Sequence, residues 1–167
     1  MRDAAPTLLA LALLVMLAAT AVPLQAAEPR DNLLTLNSLR TDSTALDGHV
    51  VYVDFWASWC PPCRQSFPWM TEQQDKYAQR GLRVVGVSVD KDHKDALNFL
   101  KKADPQFEIV FDSTGSLAKA YGLEAMPTSY IYGRDGKLRY THQGFTTDEE
   151  REIDSVMRAL LDEEAPK

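Results

Sequence analysis

The only two cysteines of the chain lie two residues apart, directly behind an apolar, β-branched run. The stretch Val50-Val-Tyr-Val-Asp-Phe-Trp-Ala-Ser-Trp-Cys-Pro-Pro-Cys63 reads as a buried strand, a tight turn and the start of a helix. Few folds accept that order. Apolar residues on both faces from Val50 to Phe55 predict a central parallel strand. Prolines suit the first turn of a helix, whose N–H groups have no intrahelical partner. Cys60 therefore falls where the strand gives way to the helix. A thiolate there feels the helix dipole and the free N–H groups of the first turn. Pro61 and Pro62 remove two of those donors, which leaves the Cys63 N–H. Cys60 is expected to be the exposed nucleophile. Cys63, further in, is expected to be more covered and to resolve a mixed disulfide.

Other uses of the pair fit less well. A structural disulfide over so small a loop restrains the unfolded chain by only about 2 kcal/mol on chain-entropy grounds. Half of a zinc site needs a second pair of ligands, and His49, His93 and His142 are scattered. Two inert free thiols do not suit an oxidising compartment. Strand, turn and helix together point to thiol–disulfide exchange.

The compartment is read from the N-terminus. Residues 1–27 look like an export signal, with Arg2 ahead of an uncharged Leu/Ala-rich run from Leu8 to Val22 and a small-residue exit at Ala26-Ala27. Leu24 or Gln25 stands at the −3 position, so a cleaved signal peptide and an uncleaved N-terminal anchor both remain open. Either places residues 28–167 outside the cytoplasm, where disulfides persist. Their length suits one domain. A formal net charge of −6 argues against nucleic acid as a partner.

Beyond the cysteines, Leu33, Leu34, Leu36 and Leu39 could supply a short edge strand or hairpin. The spacing predicts a helix from Pro61 to Gln79, kinked at Pro68 and ended by Gly81. A strand follows from Leu82 to Val89, then a helix from Asp90 to Ala103 with Ala96, Leu97 and Leu100 inward. Phe107 to Phe111 is extended, and Ser116 to Tyr121 is a short helix stopped by Gly122. Strands Thr128–Tyr132 and Lys137–Thr141 join through Gly133-Arg-Asp-Gly136. The last helix, Thr147 to Leu161, carries a capping box of Thr147 and Glu150 and one apolar face. This order implies an α/β sheet with helices on both faces.

Two further residues break their local pattern. Asp54 puts a carboxylate inside a buried strand, which is unfavourable without a role or a partner. Burial should raise its pKa, so that it could deprotonate Cys63 through a water as Cys63 attacks the mixed disulfide. A salt-bridged structural aspartate, paired with a lysine, is the competing reading. Met126-Pro127 precedes a strand. A cis bond there would turn the Met126 backbone outward toward a substrate peptide, whereas an ordinary trans proline at a strand start is the simpler reading.

Taken together, Val53-Asp-Phe-Trp-Ala-Ser-Trp-Cys-Pro-Pro-Cys63, Pro68 and Met126-Pro-Thr128 resemble the thioredoxin superfamily. The leader, the paired prolines and Val85-Gly-Val-Ser-Val-Asp90 resemble its exported TlpA/ResA-like branch. The likeness covers about residues 33–161. It implies a thioredoxin fold: a central mixed β-sheet flanked by helices on both faces, with an N-terminal extension. It also implies a cis bond at Pro127, a buried-acid role for Asp54, and Trp56 and Trp59 packed around the site. Trp59, Pro61, Met126 and Pro127 would contact substrate. No cofactor beyond the Cys60–Cys63 disulfide is expected, and no metal. The implied activity is reduction of client protein disulfides by a monomer, with electrons from a membrane thiol carrier. A disulfide-forming oxidase and a copper(I) metallochaperone holding metal on two thiolates, with Met126 as the only addition, are the alternatives. Departures are Thr128, where haem-maturation members carry Glu, and Asp54, where other members carry Asn. The family's second acid has no clear counterpart beyond Glu124. The three histidines match no family site and are read as solvated or structural.

Overall fold

The computed structural model describes residues 46 and 48–165. The leader expected at 1–27 and the apolar edge segment with Leu33 and Leu39 lie outside the described residues. The elements run β1 (Val50–Trp56), α1 (Pro61–Tyr77), a 3-10 turn (Ala78–Arg80), β2 (Leu82–Ser88), α2 (His93–Ala103), β3 (Glu108–Phe111), α3 (Ser116–Tyr121), β4 (Thr128–Tyr132), β5 (Leu138–Gln143) and α4 (Thr147–Leu161).

One sheet, in the order β3-β2-β1-β4-β5, carries them. The strands β1, β2 and β3 are parallel, and β4 and β5 are antiparallel to their neighbours. All of β1 is buried, as its unbroken apolar pattern predicts. Alternate β1 residues serve two cores. Val50, Tyr52 and Trp56 face α1, α2 and α4, among Cys60, Cys63, Phe67, Met70 and Ile153. Val51, Val53 and Phe55 face the opposite layer, with Leu117, Ala118 and Tyr121 of α3. The sheet is thus mixed and covered on both sides: a thioredoxin fold.

Local signals place most boundaries, with instructive shifts. α1 continues through Pro68 to Tyr77, and Gly81 closes the turn after it with φ 95°. α2 starts at His93 rather than Asp90, because Asp92 accepts the Lys94 N–H at 2.9 Å and caps it. Leu97 is exposed, not inward. The inward face of α2 is Ala96, Phe99, Leu100 and Ala103, one step round the helix. The cap of α4 is Thr146, whose hydroxyl accepts the Glu149 N–H, one residue before the expected Thr147 box.

Arg134, in the β4–β5 turn, ties three chain ends together. Its Nη1 donates to the Gly48 carbonyl at 3.0 Å, and Nη2 donates to the carbonyls of Arg80 (2.7 Å) and Leu161 (3.2 Å). A Cβ at residue 81 would stand 2.7 Å from that Nη1, so Gly81 is needed for clearance as well as for its positive φ. Replacing Arg134 by Ala removes the donor from three carbonyls at once. We expect a loss of roughly 3 kcal/mol in urea unfolding, with Arg134→Lys recovering less than half because an ammonium cannot span the fork.

Candidate active site

The cysteines sit where the C-terminal end of β1 meets the N-terminus of α1. Cys60 is the N-cap, with Pro61 and Pro62 as the first helical residues. The two sulfurs form a disulfide of 2.03 Å. Cys60 Sγ accepts the Cys63 N–H at 3.4 Å, the donor the prolines leave available. Cys60 is 4% exposed and Cys63 is fully buried. The order of exposure is as expected, but Cys60 is far more covered than an exposed nucleophile. Cys60 lies against the cluster that holds Trp56, Phe67 and Met126. Trp56 fills this pocket edge-on to Phe67, with ring centroids 4.7 Å apart. Trp59 does not pack there. At 64% exposed it stands in solvent beside Cys60, so the expected packing of both tryptophans is corrected to Trp56 alone.

Asp54 shares the face of β1 that carries Tyr52 and Trp56, and so the layer that holds Cys63. It is 1% exposed. Its partners are hydroxyls and not a lysine. Ser129 Oγ donates to Oδ1 at 2.7 Å, and the Tyr52 hydroxyl lies 2.7 Å from Ser129 Oγ and 3.5 Å from Oδ1. Oδ2 has no hydrogen-bond partner among the described residues. In the neighbouring strand β2 the position opposite Asp54 is Gly86, so no side chain reaches it from there. Burial pushes the Asp54 carboxyl up to about 7, against a smaller downward pull from the two hydroxyls. Burial, and then the nearby carboxylate, pushes the Tyr52 phenol well above its ordinary value.

The Met126–Pro127 peptide bond is cis. Pro127 is buried, and its carbonyl accepts the Gly144 N–H at 2.8 Å. Thr128 pairs with Phe55 at the end of β1, which brings the Met126–Pro127 loop to the edge where the cysteines emerge. The Met126 side chain packs on the cluster containing Cys60 and Cys63.

Asp90 was not singled out by its own chemistry in the sequence. Its carboxylate accepts the Ser58 N–H at 2.9 Å and the Ser58 hydroxyl at 2.8 Å, and also the Ser88 hydroxyl at 3.0 Å. It therefore pins the turn that presents Trp59 and Cys60. Ser129 was missed as well, since it meets Asp54 only through the sheet register. Glu124 is exposed on the loop ahead of Met126, and the sequence offers no other second acid. The His93 ring lies tilted against Phe111, with centroids 3.9 Å apart, and His142 lies 3.1 Å from Glu149. Among the described residues, no three His, Cys, Asp or Glu side chains gather to hold a metal ion.

A thioredoxin-fold sheet, with a Cys-Pro-Pro-Cys disulfide capping its first helix and a cis-proline loop beside it, defines a thioredoxin-superfamily protein of the TlpA/ResA-like kind. The model of the family described as Redoxin matches residues 20–157, and the chain belongs to that family. A thiol-disulfide oxidoreductase ResA from Bacillus thuringiensis subsp. konkukian is 33% identical over 105 residues, 63% of this chain and 61% of its own. The chain thus spans about three fifths of that relative's length. A crystal structure assigned as a thiol:disulfide interchange protein DsbE from Chlorobium tepidum superposes with a TM-score of 0.68 at 43% identity, covering 70% of this chain and 82% of that one. StoA from Bacillus subtilis gives 0.57 at 28% identity, covering 65% and 84%.

The buried acid makes a pH signature. A carboxyl whose folded pKa lies above its unfolded value favours the fold in its neutral form. That contribution is full below the unfolded value of 3.8 and is lost as pH rises through about 7. Asp54→Asn has no such loss. Its stability relative to wild type should climb by roughly 4 kcal/mol between pH 4 and pH 8, about three units at about 1.4 kcal/mol each. Thermal melts across that range measure the climb, and a flat difference would show that Asp54 ionises freely in the fold.

Proposed function

We propose that this chain is an exported thiol–disulfide oxidoreductase that reduces disulfides in client proteins. In the dithiol state the Cys60 thiolate attacks one sulfur of a client disulfide. A Cys60–client bond forms, the client disulfide breaks, and its second sulfur leaves as a thiolate. Asp54 takes the proton of Cys63, and the Cys63 thiolate attacks Cys60 Sγ. The intramolecular disulfide forms and the client leaves fully reduced, two electrons richer. A dithiol donor, by resemblance a membrane thiol carrier, restores the pair. Trp59, Pro61 and the Met126–Pro127 loop offer the client strand its contacts beside Cys60.

The observation that carries the reductive direction is the single donor on Cys60 Sγ. Prolines at both first helical positions leave the Cys63 N–H as the one local N–H. A thiolate with few donors is poorly stabilised, and a poorly stabilised dithiol form makes the couple a better reductant. The related sequences and structures are named as oxidoreductases, which supports the chemistry without fixing its direction.

Equilibration with a reference dithiol should give a reduction potential nearer about −270 mV than about −120 mV, limits that differ by roughly 7 kcal/mol for two electrons. A value at the oxidising end would reverse the assignment in favour of disulfide formation. In the reduced protein, Cys60 should react with iodoacetamide at least about tenfold faster than Cys63, as thiolate character and access both favour it. Equal rates would remove Cys60 as the attacking sulfur.

A further inference from the structure

The reading of Asp54 leaves open which of its oxygens handles the proton and what holds the carboxylate still. Donor counting answers both. Ser129 Oγ and the Tyr52 hydroxyl are 2.7 Å apart, and Ser129 Oγ is 2.7 Å from Asp54 Oδ1. Each hydroxyl has one proton to give. The Ser129 proton goes to Oδ1, so the Tyr52 proton goes to Ser129 Oγ. The chain then runs one way, Tyr52 to Ser129 to Oδ1, and the longer 3.5 Å approach of Tyr52 to Oδ1 adds little. Oδ1 is occupied in this arrangement whichever form the carboxyl takes. Oδ2 has no hydrogen-bond partner among the described residues although it is buried.

We propose that Ser129 is a positioning residue: with Tyr52 behind it, it fixes Oδ1 and thereby assigns proton exchange with Cys63 to Oδ2. The inference rests on the proposed role of Asp54 and adds to it the atom and the residue that orients it. The step balances simply. The Cys63 S–H bond breaks, its proton passes to Oδ2, and the thiolate forms the bond to Cys60 Sγ as the client sulfur leaves. That sulfur leaves as a thiolate and takes its proton from solvent.

Other charged groups face Asp54 poorly. On β1 its titratable neighbour is Tyr52. From β2 the opposite residue is Gly86, and from β4 it is Ser129, neither of which titrates. From α1, Cys63 packs in the same layer as Tyr52 and Trp56, and from α4 the packed residues Ile153 and Met157 are apolar. One strand beyond Ser129 in register lies His142, which faces Glu149. Asp154 of α4 is held by the Tyr77 hydroxyl, Lys76 and Arg158. Ser129 is thus the direct donor to the buried carboxylate, so its removal should act on the anion in particular.

The test uses the full chain. The Asp54 carboxyl carbon is followed by 13C NMR through pH, its signal identified by its loss in Asp54→Asn. Separately, the reduced protein is mixed with a dithiobis-nitrobenzoate, and release of the second coloured thiolate reports Cys63 resolving the mixed disulfide. Ser129→Ala should raise the Asp54 midpoint by roughly one pH unit. Resolution should slow roughly fivefold at pH 7 and match wild type near pH 9.5. Ser129→Thr keeps a hydroxyl and should return both readouts most of the way, which a packing defect would not do. A Ser129→Ala midpoint equal to wild type, with Asp54→Asn still slowed, overturns the role of Ser129 alone. Wild-type resolution by Asp54→Asn at every pH overturns the Asp54 reading beneath it.

Discussion

Every residue of β1 is buried, and a strand without a wet face must find a hydrogen-bonded neighbour on each edge and an apolar layer on each side. Both demands are met by specific parts of the chain. β2 pairs along one edge and β4 along the other. α1 and α4 cover the face of Tyr52 and Trp56, and α3 covers that of Val53 and Phe55. The chain leaves this rigid strand at Trp56 and turns at once into α1. Asp90 closes that turn by gripping Ser58 through both its N–H and its hydroxyl. The cysteine pair therefore hangs from a fully buried strand through a three-residue connection, Ala57 to Trp59, which suits a site whose geometry must survive two redox states.

The same burial explains why Asp54 is unusual. A lysine partner would keep it ionised and structural. Gly86 occupies the opposing position in β2, and it is small for a reason of its own. A Cβ there would come within 3.1 Å of Trp56 Nε1, Phe107 and Ile109. The aromatic cluster over β2, in which Trp56, Phe67 and Phe99 contact one another and Phe107 contacts Phe67, packs tightly against that glycine. Packing of the core thus removes the site for a counter-charge, and the acid is left with neutral hydroxyls. Those lower the penalty for ionisation without abolishing it, so the carboxyl rests about where a proton can move in either direction at neutral pH.

What the sequence disclosed divides along sequence separation. α3, β4 and α4 lie between residues that signal locally: Gly122 after Tyr121, the Gly133–Gly136 turn, and hydroxyl and acidic residues before the apolar face of α4. The cap of Cys60 by the Cys63 N–H was legible too, since three residues of helix geometry and two prolines dictate it. The inward face of α2 was less so. Ala96 and Leu100 are common to both choices, and only the position of β2 and β3 beneath decides against Leu97. Trp59 belongs to the same class, because local chemistry cannot tell a tryptophan held in a core from one offered to a partner. Ser129 was beyond reach: it is 75 residues from Asp54, and the pairing exists only once the β1–β4 register is set.

The two sulfurs differ for reasons that now join up. Cys60 caps a helix whose first two donors are missing, so its anion is supported by one N–H and the dipole alone. Cys63 is fully buried in an apolar cluster, out of contact with solvent. An ordinary base in water could not reach it. A base that helps must sit inside the same layer, must be neutral often enough to be tolerated there, and must keep one oxygen unengaged. Asp54 meets each of these conditions, the first through the alternation of β1, the second through its burial, and the third through the claim of Ser129 on Oδ1. On the proposed role of Asp54, the strand that anchors the cysteines also carries the base that serves Cys63.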